Sequence, residues 1–268
     1  MRIRYIAVVM PMILATFLVS VMAGCATLGI GSANMISLED EWELGRQLEA
    51  EIAREMDLVN DRQALEYINQ VGQRIVRQTN MRDLPWKFHI VNDPAINAFN
   101  IPGGHVYVNT GLIEAANNAS ELAGVMAHEI AHGVERHGTE RLTKAYELNI
   151  IAALVLGQDP GMIEQIVAQI VGSGAIAKFS RDDEREADAL GVRMMYNAGY
   201  NPEGMADMFR TLLEERERRP SAIAQFFSTH PLSEERIESI ERQIAGMPRR
   251  SGLVTQEQGF LTLQSRVN

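Results

Sequence analysis

The chain has 268 residues, a formal net charge of −10 and 46% hydrophobic residues. This length and composition fit one globular domain with a sizeable core. The acidic charge argues against non-specific binding to nucleic acid, so no nucleic-acid partner is expected.

The first 24 residues are predicted to be a lipoprotein signal peptide. Arg2 and Arg4 precede an uncharged apolar stretch, residues 6–22, and small residues and the sole cysteine, Cys25, close it. This pattern is typical of a secretory signal. Cys25 lies where a bacterial lipobox, which the segment resembles, has its lipidated residue, so we expect membrane attachment through lipidated Cys25. Lipidation would leave no thiol for a disulfide or a cysteine-bound zinc ion.

A retained membrane anchor is the alternative interpretation of this segment, because its apolar stretch approaches the about 20 residues that span a bilayer. Met22 also replaces the leucine that is usual in a lipobox. Beyond the cysteine the chain is rich in Gly, Ser and Ala. Residues 25–37 are therefore interpreted as the lipidated cysteine and a flexible tether.

The next part of the chain is predicted to form a helical scaffold and a small sheet. Hydrophobic periodicity predicts helices at 41–54 and 62–79 and strands at 86–91, 95–101 and 105–109. The last two strands flank Pro102-Gly103-Gly104, which is typical of a tight turn. His89 and His105 lie in these strands and are interpreted as structural.

An H-E-x-x-H motif is formed by His128, Glu129 and His132. It lies in an apolar run that is predicted to be a helix from the N-cap Asn118 to Gly138. Residues four apart share one face of a helix, so the two histidines can bind one metal ion, and Glu129 can act as a general base on a water molecule. The alternative is a helix whose histidines are ordinary core or surface residues.

A zinc site of this type needs a third protein ligand and keeps one position open. His137 is one residue short of the metzincin spacing, and Glu135 replaces the metzincin glycine. Glu184 and Asp188 are four apart on a helix predicted at 175–197, so we predict Glu184 as the third ligand and Asp188 as the group that orients a ligand histidine. The alternative is a solvated charge run on an amphipathic helix.

Two apolar runs, residues 148–156 and 162–171, lie between these motifs and are too short to span a bilayer. They are interpreted as core helices. Alternatively they form a flexible cover over the cleft, or an apolar face for a membrane or a partner, with Gly172-Ser173-Gly174 as a hinge.

The C-terminal part is predicted to contain helices at 203–218 and 233–244. A loop at 220–227 is expected to deliver His230. Residues 248–268 are expected to form a poorly ordered or loosely packed tail.

Further segments complete a family pattern: Asn97-Ala98-Phe99, residues 102–108, Ser228-Thr229-His230-Pro231 and Arg236. With the H-E-x-x-H motif and the downstream acidic pair, they make residues 38–247 resemble the gluzincin metallopeptidases of the HtpX and CAAX prenyl endopeptidase type. The export signal makes the chain most similar to the periplasmic BepA-like and LoiP-like branch of that family. The tetratricopeptide-repeat domain of some relatives is expected to be absent.

The resemblance implies an α+β, mostly α-helical, zincin-like domain over 38–247, with a small sheet or hairpin beside the H-E-x-x-H helix and one Zn²⁺ per chain. It implies that Asn97 and Phe99 lie in a strand beside the zinc helix. The free edge of that strand could bind a substrate peptide as an added strand. A hairpin that only covers the helix is the alternative. Arg236 is expected to orient the zinc region or to pair with a site carboxylate.

His230 has three possible roles. It can donate a hydrogen bond to the oxyanion during catalysis, or it can act as a fourth ligand that holds the enzyme inactive. The third possibility is a residue before the last helix that has no role.

The function implied is a zinc-dependent endopeptidase of the bacterial cell envelope that faces the periplasm, is lipid-anchored, and lies at the outer membrane. Unfolded or misassembled envelope proteins are the expected substrates, and outer-membrane assembly machinery is a possible partner. The alternative is a periplasmic factor that binds client proteins and has latent or minor proteolytic activity. An aminopeptidase would need a carboxylate for the substrate amine, and none can be identified.

Overall fold

The computed structural model describes residues 36–146, 148–173 and 178–267, with the backbone only for 148 and 149. The predicted signal peptide, Cys25 and all but the end of the tether lie outside the described residues, as does Gly174 of the predicted hinge. The described residues belong to one structural unit, Ile36–Asn268. Within them, every helix is too short or too polar to cross a bilayer.

The described residues form a mostly helical domain with one small sheet, which confirms the predicted α+β fold class. Its strands are β1 (Lys87–Val91), β2 (Ala98–Ile101) and β3 (His105–Asn109). Its helices are α1 (Leu38–Glu55), α2 (Arg62–Val76), α3 (Thr110–Ala115), α4 (Ala119–Val134), α5 (His137–Ala145), α6 (Leu148–Val155), α7 (Pro160–Ser173), α8 (Arg181–Ala198), α9 (Glu203–Arg218), α10 (Ala224–Thr229), α11 (Glu234–Ala245) and α12 (Gln258–Val267).

Side-chain caps fix where the two motif-bearing helices begin. At the start of α4, Asn118 Oδ1 accepts the backbone N–H groups of Ser120 at 3.0 Å and Glu121 at 3.1 Å. At the start of α8, Ser180 and Asp183 form a reciprocal capping box, with N–H···O distances of 2.9 and 3.1 Å. Such caps satisfy N–H groups that have no partner inside the helix, so both starting points are well determined.

The sheet has the strand order β1-β3-β2, with β1 parallel and β2 antiparallel to β3. The predicted hairpin across Pro102-Gly103-Gly104 is therefore confirmed, although β2 begins at Ala98 and not at residue 95. Within the described residues β2 is an edge strand, and all four of its side chains are buried. The Asn100 amide donates a hydrogen bond of 3.1 Å to the carbonyl oxygen of Glu129, which ties this edge strand to α4.

Helix α4 lies at the centre of the core and is buried on every side from Ala119 to Gly133. It packs against α8 and α9. The approach to α9 is close because a Cβ atom added to Gly124 would lie 2.8 Å from the Cα of Met205. The motif side chains are therefore held by surrounding structure from several directions, as preorganised chemistry requires.

The apolar runs at 148–156 and 162–171 pack as core helices. Six of their side chains join α1 and one face of the sheet in a second hydrophobic cluster: Ile151, Leu154, Ile163, Ile166, Val167 and Ile170. Leu156, at the end of the first run, is exposed. This supports the core interpretation, while a movement about the predicted hinge stays a prediction.

The predicted end of the motif helix at Gly138 is wrong. Helix α4 ends at Val134, and Gly138 lies inside α5. The chain turns at Arg136, whose φ of 59° is left-handed. The Arg136 guanidinium donates to Glu41 Oε2 at 2.5 Å and to the Ile36 carbonyl at 2.6 Å, and these contacts with the start of α1 stabilise the turn.

Two other predicted boundaries are also wrong. The helix expected from residue 175 begins at Arg181, because Ser180 caps it and the backbone N–H of Phe179 is bonded to the Thr229 carbonyl. The segment expected to be a loop at 220–227 contains the start of α10, which ends at Thr229, directly before His230.

The expectation of a loosely packed tail is wrong for helix α12. Phe260 and Leu263 are buried in the main core, where α12 packs against α2 and α3. The Gln264 amide also donates to the carbonyl oxygens of Ile113 and Ala116, both at 3.0 Å. This helix is an integral part of the domain.

Candidate metal centre

The H-E-x-x-H histidines converge on one point, as their helical spacing predicts. The Nε2 atoms of His128 and His132 lie 3.1 Å apart, in the middle of α4. Glu184, in the first turn of α8, places Oε2 at 3.6 Å from His128 Nε2 and Oε1 at 3.4 Å from His132 Nε2. All three side chains are fully buried.

These distances fit a tetrahedral metal ion. Donor atoms that lie 2.0–2.1 Å from a tetrahedral ion are about 3.4 Å from one another. Two imidazole nitrogens and one carboxylate oxygen are also the donor set of a catalytic zinc site. The donors of His128, His132, Glu184 and His230 all lie within 4.8 Å of one another. The structure thus brings together the three predicted ligands and adds His230 to the group.

Asp188 and Arg236 support the ligands from behind. Asp188 Oδ1 lies 3.0 Å from His128 Nδ1, the ring nitrogen that faces away from the other ligands. Arg236 donates to both Asp188 oxygens at 2.7 Å and to Glu184 Oε2 at 2.5 Å. Because these groups are buried, they fix the orientation of one ligand histidine and of the carboxylate ligand. Asp188 and Arg236 therefore both lie at the candidate metal centre, as the sequence predicts.

The acidic side chains of the centre stabilise positive charge at His128, whereas burial holds the pKa of His132 well below its usual value. Burial alone would lower the pKa of His128, but Asp188 and Glu184 raise it to about 9. Burial would likewise raise the pKa of Glu184, but His230 and hydrogen bonds to the ligand histidines hold it well below its usual range. The carboxylates that stabilise the proton on His128 would also stabilise a metal cation, which must displace that proton in order to bind.

Glu129 is the acid of the centre whose carboxylate makes no hydrogen bond among the described residues. Its side chain is fully buried. Burial raises the pKa of this carboxyl group. Native proteins seldom bury a carboxyl group without partners, so a functional explanation is required. A reacting water molecule and the substrate would provide the missing partners.

A comparison with known proteins identifies the family. The model of peptidase family M48 matches residues 62–244, more than half of the chain. The chain belongs to peptidase family M48. This assignment confirms the predicted family resemblance and, with it, the metallopeptidase class.

Individual M48 relatives agree with this result. The chain is 28% identical to the beta-barrel assembly-enhancing protease of Escherichia coli, over 78% of this chain and 45% of that protein. It is 33% identical to a putative protease of the same name from Vibrio cholerae, with the same coverage. It is 34% identical to the mitochondrial metalloendopeptidase OMA1 of Schizosaccharomyces pombe, over 65% of this chain and 51% of that protein. The chain spans about half the length of the curated relatives it matches.

His230 closes the M48 centre in this structure. Its Nδ1 atom lies 3.0 Å from Glu184 Oε1 and 3.4 Å from His128 Nε2, and its Nε2 atom lies 3.5 Å from Glu129 Oε1. The ring is thus between the ligand atoms and the proposed base. It is stacked on Phe226, with ring centroids 5.1 Å apart.

Sequence reasoning missed Phe179, which covers the centre from another side. Its ring stacks on that of His132 with a centroid distance of 4.0 Å, and its N–H donates to the Thr229 carbonyl at 3.1 Å. The capping box at Ser180 was the available signal, because it would have started the predicted helix after Phe179. The sequence spacing argues against His137 as a ligand. Its Nδ1 atom lies 2.9 Å from His132 Nδ1, the ring nitrogen of His132 that faces away from the other candidate ligands.

The Phe99 side chain does not reach the centre, and the buried Asn97 side-chain amide makes no hydrogen bond among the described residues. Phe99 stacks on Tyr107 with centroids 4.8 Å apart and belongs to the second hydrophobic cluster. Side chains alternate across a strand, so Phe99 faces away from Asn100, which contacts α4. Asn97 is buried directly before β2, and its carbonyl accepts the Asn109 N–H at 3.0 Å. A role of this edge strand in binding substrate stays a prediction.

Proposed function

We propose that the chain is a zinc-dependent endopeptidase in which His128, His132 and Glu184 hold the ion and Glu129 is the general base. The observation that carries this proposal is the buried Glu129 carboxylate, which has no hydrogen bond among the described residues and is next in sequence to one of three convergent metal donors. When bound, zinc supplies a Lewis acid for the water molecule and the scissile carbonyl group.

The proposed base is suited to its task. Glu129 accepts a proton as water attacks the scissile carbonyl and returns that proton to the leaving amine. Burial raises its pKa toward neutrality, where a general base and acid is most effective. Asp188 and Arg236 are proposed as positioning residues, because they contact His128 and Glu184 and face away from the substrate side.

For His230, the contacts favour a fourth ligand in a latent state over an oxyanion donor. Its Nδ1 atom lies within the donor cluster, where it occupies the position that an active zinc peptidase leaves open. In an active state the ring would have to move out. His230→Ala is expected to increase turnover if the ring only blocks the site, whereas lost turnover would indicate a donor to the oxyanion.

The decisive experiment measures zinc content and casein turnover of the wild type and of Glu129→Gln. The proposal expects retained zinc and lost cleavage in the variant, with a matched Glu135→Gln variant at the end of α4 active. Undiminished cleavage by Glu129→Gln would refute the mechanism. Zinc binding without cleavage in either protein would point to an enzyme that His230 keeps latent, or to the alternative, a client-binding factor with latent or minor proteolytic activity. Cleavage that appears in His230→Ala would identify the latent enzyme.

We further propose that the enzyme is lipid-anchored through Cys25 at the outer membrane, faces the periplasm and cleaves unfolded or misassembled envelope proteins. The export-signal pattern of residues 1–24 supports the location. The name of the E. coli and V. cholerae relatives supports an association with outer-membrane assembly machinery. Labelling with a palmitate analogue, lost in Cys25→Ser, tests the anchor. Crosslinking of the inactive Glu129→Gln variant in cells identifies the substrates.

A further inference from the structure

A second group of metal donors lies on the side of the sheet that faces α1. Glu49 is in α1, His89 in β1 and His105 at the start of β3. In the parallel register, Lys87 is opposite His105 and His89 is opposite Tyr107, so the two histidines share one face of the sheet. Their rings are nearly parallel, with an angle of 11° and a centroid distance of 5.9 Å.

The donor atoms have the spacing of a metal site. Glu49 Oε1 lies 3.4 Å from His89 Nε2 and 3.6 Å from His105 Nδ1. These are the distances that Glu184 makes with its two histidines in the M48 centre. All three donors lie within 4.8 Å of one another, and the two separations that involve Glu49 are close to the about 3.4 Å between the ligands of a tetrahedral ion.

Both histidine nitrogens lack a hydrogen-bond partner. His89 Nε2 and His105 Nδ1 are buried and make no hydrogen bond within the described structure, and His105 is only 2% exposed. Buried ring nitrogens are normally paired, since an unpaired one loses its hydration without compensation. A ligand between them and Glu49 would satisfy both.

We propose that Glu49, His89 and His105 bind one divalent transition-metal ion, with zinc as the first candidate, separately from the M48 centre. The donor set of two imidazoles and one carboxylate suits zinc and is poorly suited to magnesium or calcium, which prefer oxygen ligands. The ion would connect α1 to two strands of the sheet and so act as a structural tie.

The protonation states favour metal binding. Burial lowers the pKa of both imidazoles, that of His105 to about 4, so both rings are neutral near pH 7 and keep a lone pair for a metal. Lys87 is the competing cation, because its ammonium donates to Glu49 Oε2 at 2.6 Å. That contact leaves Oε1 free, and the Lys87 side chain is 49% exposed and can move into solvent.

The test counts zinc ions per chain by mass spectrometry on the full-length, untagged protein after loading and dialysis. The wild type should hold two, Glu49→Gln one, Glu184→Gln one, and the double variant none. Glu51→Gln, on the same helix and two residues away, is the matched control and should hold two. Lys87→Met removes the competing cation and should bind the second ion more tightly.

One zinc ion in the wild type that is lost in Glu184→Gln would overturn this inference and leave the catalytic proposal intact. Two ions that persist in Glu49→Gln would overturn it as well. Loss of one ion in Glu49→Gln but none in Glu184→Gln would support the second site and contradict the catalytic one. The ion that remains in Glu49→Gln also shows that this variant is folded.

Discussion

Replacing Asp188 by asparagine should weaken both the fold and the metal centre. The change keeps the shape of the side chain but removes its charge and one acceptor oxygen. In the wild type, both oxygens accept bonds from Arg236 at 2.7 Å, and one lies 3.0 Å from His128 Nδ1. In Asp188→Asn, an amide N–H group must face at least one of these donors, so a buried contact becomes repulsive.

The expected magnitude follows from the partners that remain. Breaking a buried ion pair from one side costs about 3–5 kcal/mol. The lower end applies here, because Arg236 keeps its bonds to Glu184 Oε2 at 2.5 Å and to the Pro231 carbonyl at 3.0 Å. A loss of about 3 kcal/mol lowers the melting temperature of a domain of this size by about 6–12 °C. Loss of support for His128 should also weaken zinc binding by about 10–100-fold.

Two assays check Asp188→Asn: thermal unfolding of the metal-free protein, and zinc competition against a chromophoric chelator. Asp182→Asn is the matched control, since Asp182 is on the same helix and its side chain is 95% exposed. The control should melt and bind zinc as the wild type does. If Asp188→Asn matched this control in both assays, the argument that Asp188 positions His128 would be refuted.

Three more predictions concern packing. Phe260→Ala should reduce the free energy of unfolding by about 3–5 kcal/mol in urea denaturation, because Phe260 is fully buried. Gly124→Ala should cost about 1–3 kcal/mol in the same assay, because the new methyl group meets the Met205 backbone at 2.8 Å. Phe179→Ala should accelerate the extraction of zinc by a chelator, measured by stopped flow, because it removes the ring stacked on His132.

Each of these variants has a matched control. Leu261→Ala changes an exposed apolar residue next to Phe260, and Gly172→Ala adds a methyl group with no atom within 4 Å of it. Phe227→Ala removes a ring that lies beside the Phe226 ring. Equal stability of Phe260→Ala and Leu261→Ala would contradict the packing of α12. If Gly124→Ala were as stable as Gly172→Ala, the argument for close packing at Gly124 would be contradicted. If zinc were extracted from Phe179→Ala no faster than from Phe227→Ala, the argument that Phe179 covers the centre would be contradicted.

The convergence of the candidate metal donors could be predicted from the sequence because local geometry determines the directions of their side chains. His128 and His132 are one helical turn apart, and the position of Glu184 on a second helix followed from its spacing to Asp188 and from the family pattern. The sheet was also predictable in outline, since the strand pattern and the turn at 102–104 are local signals.

Features that depend on distant contacts could not be predicted. The left-handed turn at Arg136 is held by α1, nearly a hundred residues earlier in the chain. The packing of Phe260 depends on helices α2 and α3, and the spacing of Phe260, Leu263 and Val267 indicates an apolar helix face but not the surface that it meets. His89 and His105 meet because β1 and β3 pair in parallel, and Glu49 reaches them through the packing of α1 against the sheet, some forty residues earlier in the chain.

The bond between the Phe179 N–H and the Thr229 carbonyl has a kinetic consequence. The two segments that close the centre share this bond, and the His230 ring lies 5.3 Å from the Phe179 ring and 5.1 Å from that of Phe226. Neither segment can leave without breaking contacts with the other. Entry of a peptide and exchange of the ion should therefore wait for the same opening event, with one rate constant and one activation energy.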